Sequence, residues 1–192
     1  MDGYTRRTEQ KKAVIIGVAT EKLRIQSYKL VTIKQLADEA GVSQVTIYNY
    51  FGSKDELLFA AIERLMDDKL DDYQIYLERE QSYPALVSGI MFEEQSFVKE
   101  LYAYMGQAAN RELIQRKVQA YQDAKLVPFL LNLIRKGFDK GYISRDLTEM
   151  DIMFYFNMYQ RELNRIHTEK ESTFTITEEK LIDFFFHGIM GE

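Results

Sequence analysis

The sequence has 192 residues, 46% of them hydrophobic and 29% charged, with a formal net charge of −5. That balance belongs to a folded globular protein with a buried core and excludes a collagen-like, low-complexity or membrane-embedded chain. There is no Cys, which rules out a disulfide framework, a thiolate metal site and a cysteine nucleophile. Residues 1–7 carry no apolar run ahead of a small-residue cleavage site, so the expected location is the cytoplasm, with no membrane partner.

The average charge hides an asymmetry. Residues 1–50 hold eight basic and five acidic side chains, a net of +3, which leaves −8 for the remainder. Aromatics divide the other way, with six of the Phe and Tyr side chains before residue 72 and 19 after it. A basic head therefore precedes an acidic, aromatic-rich body, and the expected division is a head of residues 1–54 and a body of residues 55–192.

Apolar residues recur at helical three-and-four spacing over most of the length, and strand signals are nearly absent, so the expected fold class is all-α. The first helix is expected over 5–27, with Val14, Ile15, Val18 and Leu23 as its inner stripe. A short second helix starts at Thr32, where Thr32-Ile33-Lys34-Gln35 has the form of a capping box, and stops at Gly41. A third covers 43–50. Ser53-Lys54-Asp55-Glu56 is another capping box, and the apolar face behind it predicts a long fourth helix reaching toward Tyr73. Further helices are expected near 84–106, 111–140, 148–168 and 177–190, with Thr148 capping the third of these and Gly141 stopping the second. Pro128 either bends the helix over 111–140 by removing the bond to the Ala124 carbonyl, or begins a new helix at Val127.

The informative segment is 32–51. Two helices this short are not stable alone in water, so they must cross and pack on the first. Ala37 is small where they would touch, Gly41 suits a sharp turn, and Leu36, Val42, Ile47 and Phe51 are the expected core. This is a helix-turn-helix pattern. At 100° per residue from Ile47, Val45 and Asn49 point away from the core and Gln44, Thr46 and Tyr48 flank them, giving a polar face without acids. Gln and Asn can pair bidentately with adenine, Val can touch a thymine methyl, and Ser, Thr and Tyr hydroxyls can bond phosphates. The same residues would also suit an ordinary surface helix.

The run Thr32-Ile33-Lys34-Gln35-Leu36-Ala37, then Gly41-Val42-Ser43, then Thr46-Ile47-Tyr48-Asn49-Tyr50-Phe51-Gly52-Ser53-Lys54-Asp55-Glu56-Leu57-Leu58 resembles the amino-terminal signature of the TetR family of transcriptional regulators, over about residues 10–58. The resemblance implies a homodimer whose first three helices bind a double-stranded DNA operator, a linking fourth helix, and a helical body that dimerises and takes a small-molecule effector. It implies that Lys34 and Gln44 reach base edges or nearby phosphates, that Thr46 contacts base or backbone, and that Tyr48, Tyr50 and Lys54 hold phosphates; Thr32, Ser43, Val45 and Asn49 complete the candidate DNA contacts. Tyr50 stands where a histidine is often found; a phenol can donate to phosphate but cannot become a cation.

In the body, residues for a pocket that takes an apolar or amphipathic ligand are sought among Phe97, Tyr102, Met105, Tyr121, Phe129, Phe138, Phe154, Tyr155 and Tyr159, although aromatics at helical spacing also build plain core. The segment 177–190 is apolar around most of its circumference, as is 152–156, and the resemblance implies a four-helix dimer interface there with Phe156, Phe184, Phe185 and Ile189. His167 and His187 have no partner at metal-ligand spacing, and the acids at 67, 68, 71 and 72 read as a solvated face. No metal, cofactor or catalytic residue is expected, and the chain is not expected to be an enzyme. The sequence leaves two functions open: a repressor released from a palindromic operator by its ligand, and a helical interaction or scaffold protein without DNA binding.

Overall fold

A computed structural model of the chain describes residues 3–78, 82–87, 89–90, 103–104, 106–168 and 184. Among the described residues the regular structure is all helical, without a strand. Helix α1 is Gly3–Ile25, α2 Ile33–Ala40, α3 Gln44–Phe51, α4 Lys54–Glu78, α5 Arg111–Tyr121, α6 Val127–Asp139 and α7 Glu149–Thr168. The chain forms two compact units, one of Met1–Asp72 with Glu100–Tyr121, the other of Tyr73–Lys99 with Gln122–Glu192.

In the first unit the short helices are built by their caps. Thr32 accepts the Gln35 N–H at 3.2 Å while Gln35 Oε1 accepts the Thr32 N–H at 3.0 Å, so the expected capping box is complete. Gly41 stops α2 at φ 64°, a left-handed conformation in which its N–H reaches back to the last turn. Ser43 Oγ then accepts the Thr46 N–H at 3.0 Å and opens α3 after two residues. Leu36 and Ile47 are fully buried and Ala37 nearly so, as the pattern requires. Val42 and Phe51, expected in the core, are only half-buried, because they sit at helix ends where one side faces solvent.

The inner face of α1 differs from the expected stripe. Ile15, Ala19 and Leu23 are buried, whereas Val14 is 55% exposed and Val18 half-buried. Small side chains decide this. Ala19 and the fully buried Ala61 of α4 permit an approach close enough for Thr20 Oγ1 to lie 3.5 Å from the Ala61 carbonyl as well as 2.9 Å from Ile16 O.

Between α5 and α6 the chain passes through a π-helical turn, Gln122–Leu126, and α6 begins at Val127 with Pro128 in its first turn, as the second of the two expectations for Pro128 has it. An i→i+5 register passes over the missing donor at 128, which an α-helix would have needed for the Ala124 carbonyl.

In the second unit, residues 83–87 and 89–90 are helical, and Ser82 Oγ accepts the Ala85 N–H ahead of that segment. Lys136 donates to the Leu77 carbonyl at the C-terminal end of α4, where a cation opposes the exposed negative pole. Gly141 takes φ 75° just beyond α6, and Thr148 and Asp151 cap α7 reciprocally, with N–H contacts of 2.8 and 3.2 Å. The remainder of the helix expected over 84–106, apart from residues 103, 104 and 106, and all of 177–190 except residue 184, lie outside the described residues.

Gly137 of α6 makes room for Tyr83. A Cβ there would stand 2.5 Å from Tyr83 Oη and 2.6 Å from Ile143 Cδ1. Tyr83 is held on its other side by a stacked Tyr142 at 5.4 Å and donates to the Leu133 carbonyl at 3.3 Å. Gly137→Ala is therefore expected to lower stability: overpacking costs about 1–3 kcal/mol, against roughly 1 kcal/mol gained from helix propensity. A raised thermal midpoint in this variant would contradict the packing described.

Candidate nucleic-acid interface

The outer face of α3 is formed by what Ile47 anchors. With Ile47 fully buried, the 100° step turns Gln44, Val45, Tyr48 and Asn49 outward; all four are exposed, Val45 by 67% and Tyr48 by 49%. The helix sequence Gln44–Phe51 contains no charged residue, so this face presents hydrogen-bonding groups and a methyl pair without repelling phosphate.

The remaining expected contacts fall into two kinds. Ser43 and Thr46 are turned toward each other, their hydroxyl oxygens 2.9 Å apart, and both belong to the cap of α3 as much as to its surface. Thr32 is likewise a capping residue, though exposed. Lys34 is exposed on α2, and Tyr50 is half-buried near the end of α3. Lys54 begins α4 with its ammonium 5.5 Å from the Tyr28 ring centre; burial pulls its pKa below the usual lysine range and the neighbouring Asp55 carboxylate opposes that shift. Gly52, at φ 77°, donates to the Tyr48 carbonyl at 2.8 Å and turns the chain from α3 into α4, whose first residue is Lys54.

Asp55, expected only as part of a capping box, is a buried carboxylate of the first unit, 7% exposed. Its Oδ1 accepts the Tyr28 hydroxyl at 2.7 Å and its Oδ2 the Asn110 N–H at 2.7 Å. Burial first, then the bond to Asp55, pushes the Tyr28 phenol far above its ordinary pKa. In the same turn, Ser53 Oγ accepts the Glu56 N–H at 3.1 Å, while the Glu56 carboxylate meets Lys117 of α5 at 2.7 Å.

The body residues are placed as follows. Tyr121 is buried and donates to Asp67 at 2.9 Å; Phe129 is buried, tilted against Tyr73 at 5.9 Å between ring centres. Phe138 and Phe156 are half-buried. Tyr155, half-buried, donates to the Phe184 carbonyl at 3.0 Å, and Phe184 itself is 54% exposed. Phe154, expected among pocket residues, instead lies 70% exposed on α7, between Met150 at 76% and Met158 at 42%. The three are spaced by four residues and so form one apolar stripe on the outside of the helix, opposite the buried Ile152. Tyr159 lies in α7, its side chain outside the described set, as are Phe97, Tyr102, Met105, Phe185 and Ile189. Among the described residues no group of His, Asp and Glu is arranged to hold a metal, and no helix is long and apolar enough to cross a membrane.

A three-helix head with a capped helix-turn-helix and an uncharged, outward recognition face, continued by a long helix into a helical body, has the architecture of helix-turn-helix regulators. Residues 15–61 match the family described as bacterial regulatory proteins, tetR family. The chain is 34% identical over 96 residues to the HTH-type transcriptional regulator HbdR of Aromatoleum sp. (strain CIB), a match covering 50% of this chain and 38% of that protein. It is 26% identical over 118 residues to BetI of Rhizobium meliloti (strain 1021), covering 58% of each. These matches thus span less than two thirds of each relative's length. Among solved structures, a transcriptional regulator from Cytophaga hutchinsonii ATCC 33406 superposes with a TM-score of 0.74 at 14% identity, over 93% of this chain and 98% of that one. FadR from Bacillus subtilis in complex with stearoyl-CoA gives 0.60 at 16% identity, over 92% and 98%. At such identities the two structures establish the shared fold. Residues 15–61 thus carry the segment that describes the tetR family of bacterial regulatory proteins.

Proposed function

We propose that the protein is a cytoplasmic DNA-binding transcriptional regulator, a homodimeric repressor that leaves a palindromic operator when a small apolar or amphipathic ligand binds its body. Residues 1–54 bind DNA and residues 55–192 dimerise and take the ligand; the protein is not an enzyme. The observation that carries this reading is the recognition face of α3, where Gln44, Val45, Tyr48 and Asn49 stand exposed on a helix without acids. The dimer is supported by the Met150, Phe154 and Met158 stripe, an apolar surface that a second copy would cover. An amphipathic effector is supported by the stearoyl-CoA bound to the Bacillus subtilis FadR whose fold this chain shares. Release requires the ligand to prefer the DNA-incompetent state, and a coupling of about 1–3 kcal/mol corresponds to roughly 5- to 150-fold in affinity.

The test is selection of bound duplexes from genomic fragments, followed by a screen for compounds that release them. Recovery of no sequence above background would leave the scaffold reading in its place. With a selected duplex in hand, the two kinds of contact separate. Gln44→Ala is expected to cost about 1–3 kcal/mol at the preferred site and to change the ranking of sites, because Gln reads base edges. Tyr48→Phe is expected to weaken all sites alike, since a phosphate bond carries no sequence information, and affinity of the unsubstituted protein should fall steeply with salt. Titrations against preferred and scrambled duplexes at two salt concentrations check both; an unchanged ranking for Gln44→Ala would remove it from the readout.

A further inference from the structure

We propose that Asp55 is a positioning residue that ties the DNA-binding surface to α5, by holding the Tyr28 hydroxyl on one carboxylate oxygen and the Asn110 N–H on the other. This rests on the reading of the head as a DNA-binding element. Tyr28 lies just before α2, and Asp55 lies in the first turn of α4, directly after the recognition helix and beside Lys54. Asn110 opens α5: its own Oδ1 accepts the Leu113 N–H at 3.1 Å, so the residue that Asp55 grips is the cap of that helix. Both of Asp55's bonds are 2.7 Å long and charge-assisted, in a site that is 7% exposed. A carboxylate there favours the N-terminus of α5 through the helix dipole as well as through the single bond.

The rest of α5 is fastened to the same stretch of α4. The Lys117 ammonium pairs with Glu56 at 2.7 Å and lies 5.1 Å from the Phe59 ring centre, and Tyr121 donates to Asp67 at 2.9 Å. Residues 100–121 accordingly belong to the same compact unit as residues 1–72. The next residue begins the π-helical turn that leads into α6, so the register break falls just outside this fastened body. A shift of α5 along or about its axis must therefore either break the Asp55–Asn110 bond or carry the first turn of α4 with it. That turn holds Lys54 by the chain and Tyr28 by the second oxygen. Asp55 is a buried group through which such a shift reaches both sides of the helix-turn-helix, beside two bonds from the segment ahead of α5: the Lys29 N–H to Gln107 Oε1 at 3.3 Å and the Tyr104 hydroxyl to the Leu23 carbonyl at 3.0 Å.

Hydrogen exchange of the full chain, with and without a duplex selected by the wild type, tests this. In the absence of DNA, Tyr28→Phe, which removes one hydroxyl from the far end of the link, is expected to speed exchange of the Asn110–Leu113 amides several-fold. Bound duplex is expected to slow the same amides about tenfold in the wild type, although they lie outside the helix-turn-helix. Asp55→Ala should abolish that slowing; Asp55→Asn should keep part of it, because an amide can accept from Asn110 and donate to the Tyr28 oxygen. Should Asp55→Ala not fold, loss of the DNA-induced slowing in Tyr28→Phe carries the same information. A wild type that binds no duplex overturns the DNA reading, and the transmission with it. A wild type that binds while Tyr28→Phe and Asp55→Ala keep its exchange pattern overturns the role of Asp55 alone.

Discussion

Phe154→Glu is expected to yield a folded monomer that has lost most of its operator affinity. The side chain is 70% exposed on α7, flanked by Met150 and Met158 one turn away on either side, so the substitution removes little packing among the described residues. In a dimer that covers this stripe, a carboxylate would be buried without a partner at a cost of about 3–5 kcal/mol per uncompensated charge. One such charge alone corresponds to a weakening of self-association on the order of 10²- to 10⁴-fold, and a symmetric dimer would bury one from each copy. Operator binding follows, because the two heads of one dimer meet half-sites about 34–36 Å apart, or a multiple of that, and a lone head meets only one. Sedimentation velocity with a parallel thermal melt separates the possibilities. A dimer of unchanged stability would exclude this stripe from the interface, whereas a lowered melting point of the monomer would show that Phe154 packs within its own chain.

Ile47→Ala should cost about 2–5 kcal/mol, the range for deleting a fully buried branched side chain from a core. Small domains have only about 5–15 kcal/mol in total, so the head would be near its unfolding midpoint at moderate temperature. The effect should be local in origin: Ile47 is the fully buried residue of α3, and without it nothing fixes which side of the eight-residue helix faces outward. Denaturant unfolding followed by exchange at α2 and α3 amides checks this. A midpoint within experimental error of the wild type would mean that the three-helix packing does not depend on Ile47.

Much of the head was readable from residues 32–56 because its construction is local. Thr32 with Gln35, and Gly41 in a left-handed turn, each act within three or four residues, and the structure contains both arrangements. Glu56 shows where local reasoning stops: the capping pattern placed its carboxylate at the start of α4, but the structure pairs it with Lys117, a residue 61 positions later. Val14 and Ala19 show the same limit in the core. Hydropathy favours Val, yet Ala19 is the one buried, because closeness of approach between α1 and α4 selects a small side chain.

The sequence by itself determined the helical class, the helix-turn-helix with its caps and glycine stop, and the acid-free surface of α3, all of which follow from periodicity and hydrogen bonds spanning a single turn. Only the tertiary structure decided which side of α7 turns outward, since Ile152-Met153-Phe154-Tyr155-Phe156 is apolar on every side and its orientation depends on what packs against it. It also decided that Asp55 faces Tyr28 and Asn110, partners 27 and 55 residues away. A buried carboxylate takes whichever donors the packed helices bring within 3 Å, and no spacing along the chain encodes that meeting.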